Sequence, residues 1–422
     1  MKYKKKILDN GLRVITVQMK DNPTVTVLVM VEAGSEYETK EKNGISHFLE
    51  HMCFKGTVKR PTALLISKEL DSIGAHYNAF TSDEYTGYYA KSAPKHIHKI
   101  LDVVSDLYLN QVFDEKEIEK EKGVIIEEIN MYRDLPHRHV QELFLTLLYG
   151  DQPAGWSIAG TKDTVQAMKR DDFVEYRGKH YTPEATTVII AGNFDEKILY
   201  KDIIKTFGHL PRSKNDKKQK IKEAQVEPAL LVEDRKTDQA HIVLGVRGYP
   251  IASAHTPTLR VLNAVLGAGM SSRLFQKLRE EMGVGYYVRS CYEALLDHGI
   301  FSVSVGSDVK RVEEVITAVL AELNLLKNEL VSDEELQKTK DYLIGTMFLG
   351  LESSDSLAEF YGYQEILRRE LLTPQDIVKD IKAVTAEQIR NIARKIFISK
   401  HLNLAIVGPV ANQESLKAAL KF

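Results

Sequence analysis

The chain has 422 residues, more than one hydrophobic core usually serves, so two or three domains of roughly 100–200 residues are expected. Hydrophobic residues make up 43% and charged residues 27%, which excludes a disordered or membrane-embedded chain. The formal net charge of -2 excludes the positive field of a nucleic-acid binder, and the short lysine runs, mixed with acids, read as solvated surface.

The N-terminus, MKYKKKILDNGLRVITV, is basic but lacks an apolar stretch of signal-peptide length. No run of about 18 apolar residues occurs, so no membrane partner is expected and the cytoplasm is the expected compartment. Asp9-Asn10-Gly11 predicts a hairpin turn. A strand follows from Thr24 to Val31, ended by Gly34. A helix begins near Asn43, with Ile45, Phe48, Leu49 and Met52 on its apolar side. A second helix spans Ala63 to Ile73, then two strands, Ala75–Thr81 and Thr86–Lys91. Helices Pro94–Asn110 and Asp114–Tyr132 come next, and the strand Thr186–Ala191 closes the half at Gly192-Asn193. The segment Pro211–Pro228 is polar and lysine-rich and reads as a linker. The two cysteines, Cys53 and Cys291, lie too far apart in sequence to suggest a metal motif.

The second half repeats the order of the first. Strand 241–248 stands where VTVLVMVEAG stood, and helix 258–267 where GISHFLEHMCF stood. The run SDEELQKTKDYLIG at 332–345 matches DEKEIEKEKGVIIE at 114–127, and LNLAIVG at 402–408 matches TTVIIAG at 186–192. A period of roughly 216 residues is far too long for a solenoid and indicates domain duplication. The expected fold is α+β: two homologous domains, each a mainly antiparallel sheet with helices packed on one face. The expected boundaries are 1–210, a linker at 211–228, and 229–422.

His47-Phe48-Leu49-Glu50-His51 forms an H-x-x-E-H motif. On a helix, positions i, i+3 and i+4 share a face, so His47 and His51 can reach one ion while Glu50 sits beside it. This is the inverzincin arrangement. With 13 histidines in the chain, such a motif arises by chance on the order of a few per cent of the time. The alternative is a surface helix with two solvated histidines. A catalytic zinc needs a third protein ligand. Glu121, Ile125 and Glu128 share one helical face, whereas Glu127 competes with Glu128 on spacing alone. In the second half Thr339 and Thr346 stand where Glu121 and Glu128 stand, and its helix lacks a His-Glu-His set. One zinc site per chain is expected.

At this point GISHFLEHMCFKGT resembles the signature of the pitrilysin, insulin-degrading enzyme and mitochondrial processing peptidase family. The resemblance covers both halves and the length is that of the family's half-size members. It implies Zn2+ held by His47, His51 and Glu128. Glu121 then serves as the glutamate seven residues before the third ligand, and Glu50 as general base for a zinc-bound water. Asn78, Ala79, Phe80 and Thr81 resemble the family's substrate-binding edge strand, to which an extended peptide adds as a further strand. Phe54 and Phe80 resemble aromatic positions near the metal. Arg279 and Tyr286, seven residues apart in REEMGVGY, resemble the family's Arg/Tyr motif, which steadies the tetrahedral intermediate.

The expected function is that of a zinc-dependent metalloendopeptidase acting on peptides or unfolded polypeptides inside a chamber, as a homodimer with two complete sites. The alternative is a non-catalytic peptide-binding or scaffold subunit of the same family, against which the full zinc set argues. A zinc enzyme acting on another amide or ester is a third reading, disfavoured by the edge strand.

Overall fold

The computed structural model describes residues 2–410 and 413–422. Strands β1 (Tyr3–Ile7), β2 (Arg13–Gln18) and β3 (Val25–Val31) lead into helices α1 (Ile45–Cys53) and α2 (Ala63–Asp71). The hairpin β4 (His76–Thr81) and β5 (Thr86–Ser92) follows, then α3 (Ile97–Leu109), α4 (Glu115–Asp134), α5 (Pro136–Tyr149), α6 (Lys162–Ala167) and α7 (Arg170–His180). Strand β6 (Thr186–Gly192) and α8 (Glu196–Phe207) end the half. The second half runs β7 (Ala229–Glu233), β8 (Gln239–Gly248), α9 (Thr256–Gly267), a π-helical segment Phe275–Glu281, β9 (Gly285–Ala294) and β10 (Gly299–Asp308). It closes with α10 (Val312–Asn328), α11 (Asp333–Gly350), α12 (Ser354–Arg368), α13 (Pro374–Ala383), α14 (Ala386–Ile396), β11 (Asn403–Val407) and α15 (Gln413–Ala419).

The fold is α+β with two sheets. Their strand orders are β1-β2-β6-β3-β5-β4 and β7-β11-β8-β10-β9. Without β1, the two orders superpose element for element: β2 on β7, β6 on β11, β3 on β8, β5 on β10 and β4 on β9. Among the described residues only the β2–β6 and β7–β11 pairs are parallel. The Asn10-Gly11 hairpin closes with Gly11 N donating to Leu8 O and Leu8 N to Leu12 O.

The compact units are not the continuous stretches 1–210 and 229–422. The first combines residues 1–129, 157–219 and 348–373, and the second 130–156, 220–347 and 374–422. Each therefore takes one helix from the other half of the sequence, α12 in the first and α5 in the second. Strand β3 shows why. Its alternate residues Val25, Val27, Val29 and Val31 pack with Phe48, Leu49 and the α3 residues Ile100, Val103 and Val104. The intervening Leu28 and Met30 are equally buried, because α12 covers that second face. Gly362 allows the close approach: a Cβ there would lie 2.5 Å from Met30 Sδ. In the second unit Ile242, Leu244, Leu404 and Ile406 face that unit's own helices. Val243, Ala405 and Val407 face Val140, Phe144 and Leu148 of α5. A strand apolar on both faces is a strand covered on both faces.

The 211–228 connection carries no regular structure, yet its first part is held by the first unit. The Lys218 ammonium is buried between Glu36 at 2.5 Å and Glu84 at 2.9 Å, and Asn215 Nδ2 donates to Glu32 O at 2.9 Å. Among the described residues no helix is long and apolar enough to cross a membrane.

Candidate metal centre and active site

Helix α1 starts at a glycine. Gly44 has φ 95°, and a Cβ there would meet Ala159 O at 2.6 Å, so any side chain that might cap the helix is excluded by backbone geometry. Glu38 does the capping from five residues before Asn43. Its carboxylate accepts from Gly44 N at 2.7 Å, Ser46 N at 2.8 Å and Asn43 Nδ2 at 3.0 Å. Gly44 N and Ser46 N are orphan donors of the helix start. Burial pushes the Glu38 carboxyl up to about 7, against the pull of those donors. Phe48, Leu49, Met52 and Cys53 then lock α1 into the core, and His47, Glu50 and His51 are left on the half-buried side.

Helix α4 supplies the carboxylates. Glu121 and Ile125 are buried, Glu128 is half-buried and Glu127 is exposed. The helix thus turns Glu128 rather than Glu127 toward the histidines. Glu128 Oε2 lies 3.6 Å from His47 Nε2 and 3.5 Å from His51 Nε2. These separations are too long for hydrogen bonds. They fit three donors around one small cation: ligands about 2.1 Å from a tetrahedral zinc sit about 3.4 Å apart. His47, His51 and Glu128 offer ligand atoms all within 4.8 Å of one another.

Protonation points the same way. Burial, and then the neighbouring His51, push the His47 imidazole down to about 4, with Glu128 opposing. The ring is therefore neutral near pH 7, the form a metal requires. His51 Nδ1 lies 2.8 Å from Glu121 Oε1, and Lys55 Nζ lies 2.5 Å from Glu121 Oε2. Burial alone would raise the Glu121 carboxyl, but the bonds from His51 and Lys55 outweigh it and hold it below its usual range. An ionised Glu121 only accepts, so Nδ1 of His51 carries a proton, and in the neutral ring this leaves the lone pair on Nε2. Among the described residues His47 Nδ1 is buried without a hydrogen-bond partner.

Glu50 stands apart from the three donors. Thr81 Oγ1 donates to Glu50 Oε2 at 2.5 Å. Burial pushes the Glu50 carboxyl up, against that hydrogen bond. A carboxylate raised toward neutrality is a better proton acceptor than an ordinary one.

The residues expected on the substrate strand divide by the period of two. Asn78, Ala79, Phe80 and Thr81 lie on β4, the edge strand of the first sheet. Ala79 and Thr81 face α1. Phe80 faces the other way, seated on Gly87 with its ring 6.2 Å from those of Tyr85 and Tyr363. It does not line the α1 side of the sheet, since adjacent strand residues point to opposite faces. Asn78 is exposed and its Oδ1 accepts from Ala79 N. Phe54 follows α1 directly, half-buried against the core. Arg279 and Tyr286 belong to the second unit. The Arg279 guanidinium lies 5.2 Å from the Phe275 ring centre, and Tyr286 is the second residue of the edge strand β9, 63% exposed.

Three residues carry roles that the motifs do not show. Lys55 lies four residues after His51, a spacing that shares a helical face. Thr81 reads as a substrate contact from its strand but donates to Glu50. Glu38 could be sought only by asking what caps a helix that starts at glycine.

Residues 13–162 match the family described as insulinase (peptidase family M16), and residues 167–343 match the peptidase M16 inactive domain. An uncharacterized zinc protease of Bacillus subtilis (strain 168) is 36% identical over 96% of this chain and 98% of its own. An uncharacterized zinc protease of Streptomyces coelicolor is 34% identical over 97% of this chain and 90% of its own. Among solved structures, a protease from Helicobacter pylori has the same fold, with a TM-score of 0.89 at 22% identity over 96% of this chain and 99% of that one. With two family matches spanning most of its length and full-length relatives above 30% identity, the chain belongs to the insulinase family of peptidases, peptidase family M16.

Proposed function

We propose that the protein is a zinc-dependent metalloendopeptidase that hydrolyses peptides or unfolded polypeptides. The observation that carries the reading is the convergence of His47 Nε2, His51 Nε2 and Glu128 Oε2 beside a raised, singly tethered carboxylate at Glu50. Zinc bound there supplies a Lewis acid for a water and a peptide carbonyl. The chain's own residues do the rest. Thr81 holds one oxygen of Glu50, and the other takes the water proton and returns it to the leaving amine. Glu121 keeps His51 in the tautomer and orientation that aim Nε2 inward. The edge strand β4 offers main-chain groups to an extended substrate, which suits peptides better than small esters. The relatives named zinc proteases support the same reading.

The half-size chain carries both the zinc set and the Arg/Tyr pair, which supports a homodimer in which Arg279 and Tyr286 serve the partner's centre. Glu50→Gln tests the chemistry. It is expected to keep zinc and fold while losing cleavage of an unstructured peptide by several orders of magnitude. Substantial turnover by a zinc-replete variant would remove Glu50 as the base and return the scaffold reading to consideration.

A further inference from the structure

The Glu121 carboxylate is only 4% exposed, and each of its oxygens has its own partner: Oε1 meets His51 Nδ1 at 2.8 Å and Oε2 meets Lys55 Nζ at 2.5 Å. Both partners come from one end of α1. Lys55 lies in the turn that leaves the helix, where its N–H bonds to Met52 O. A buried carboxylate oxygen stripped of its cation would be left unpaired, and the group would turn to find another donor. The donor available is the one already engaged by the other oxygen, His51 Nδ1. Without Lys55 the two Glu121 oxygens therefore compete for the one remaining donor, and the orientation of His51 depends on a side chain that is not itself among the ligand atoms.

We propose that Lys55 is a positioning residue for the metal centre, clamping Glu121 Oε2 so that Oε1 remains aligned on His51 Nδ1. The proposal rests on the reading of His47, His51 and Glu128 as zinc ligands. The competing role for Lys55 is a cation at the C-terminal end of α1, stabilising the helix through its dipole. That role lowers stability when removed but leaves zinc affinity untouched.

Zinc dissociation constants, measured by competition with a chromophoric chelator, separate the two roles. Glu121→Gln is expected to weaken zinc binding about 10–100-fold, as loss of an outer partner of a ligand histidine does. Lys55→Met, similar in length but uncharged, is expected to weaken it roughly 3–10-fold, with Lys55→Arg recovering most of the loss. The double variant Lys55→Met/Glu121→Gln is expected to bind zinc no more weakly than Glu121→Gln alone, because both changes remove one interaction. Nitrogen NMR of the metal-free protein supplies a readout independent of zinc: His51 holds its proton on Nδ1 in the wild type and shifts toward a tautomer mixture in Lys55→Met. Should Lys55→Met fold poorly, Lys55→Gln carries the same comparison. Wild-type zinc affinity and an unshifted His51 tautomer in the Lys55 variants would overturn the proposal, as would losses that multiply in the double variant. If Glu128→Gln binds zinc like the wild type, the ligand reading itself fails, whatever Lys55 does.

Discussion

The pair α1–α4 of the first unit and the pair α9–α11 of the second occupy equivalent places in one repeated topology, but they solve burial differently. Against α4, α1 sets two histidines and a glutamate, and the buried Glu121 needs two donors to remain ionised. In the second unit α9 buries Leu262, Ala264 and Val265. Thr339 takes the buried position on α11, and Thr346 Oγ1 donates back to Tyr342 O at 2.8 Å. What lies between Ala264, Val265, Thr339 and Tyr342 is a cavity of about 10 Å³, room for one water at most. The comparison teaches that the scaffold closes without the polar set. The polar set is an addition that the fold must accommodate, not a requirement of folding. The match of residues 167–343 to a domain described as inactive fits that division.

The sharpest way to break this comparison is at Glu128, the proposed third ligand. Glu128→Gln is expected to lower zinc affinity by about 100-fold or more, since a neutral amide replaces an anionic ligand. Glu127→Gln, exposed one position away, and Thr346→Val in the second unit are expected to leave it near wild type. Elemental analysis after dialysis reads all three, and zinc loss in Glu127→Gln instead would move the ligand.

The homodimer reading is tested by mixing Glu50→Gln with Arg279→Ala. If Arg279 serves the partner's centre, half of randomly exchanged dimers are mixed and each has one intact site, so about a quarter of wild-type activity returns. No recovery, with exchange confirmed by mass, would restrict Arg279 to its own chain.

A smaller effect separates the units by pH. In the second unit Glu142 and Glu233 hold His139 above its usual range, against burial. In the first unit burial lowers His180. The signs are opposite. A raised imidazole contributes stability that is full below about pH 6.5 and lost as pH rises through the folded-state value. A lowered one removes stability as pH falls below about 6.5. His139→Gln is therefore expected to destabilise more near pH 5.5 than near pH 8.5, by up to about 1 kcal/mol in denaturant titrations. An equal loss at both values would contradict it.

Much of this was legible in the residues. The duplication, the strand–helix order and the single His-Glu-His set follow from local pattern, and α4 and α11 begin 218 residues apart, at Glu115 and Asp333. The helix exchange was not legible. The apolar residues of α5 and α12 show that these helices are buried, but periodicity does not say against which sheet. Burial on both faces of β3 was the available clue, since Leu28 and Met30 needed a cover that the first half alone does not supply. The placement of Phe80 is legible in the strand's period of two: a strand that turns Thr81 toward α1 turns Phe80 away. Lys55 could not be weighed from sequence, because its role depends on a carboxylate sixty-six positions later in the chain.

The central claim is one zinc centre per chain, built in the first unit and required for peptide cleavage. Its most direct test is to strip the protein with a chelator and add zinc back in fractions of an equivalent while following cleavage of an unstructured peptide. Activity that vanishes on stripping and returns linearly to a plateau at about one zinc per chain is the predicted result. Cleavage by the metal-free protein, or a plateau near two zinc ions per chain, would contradict it.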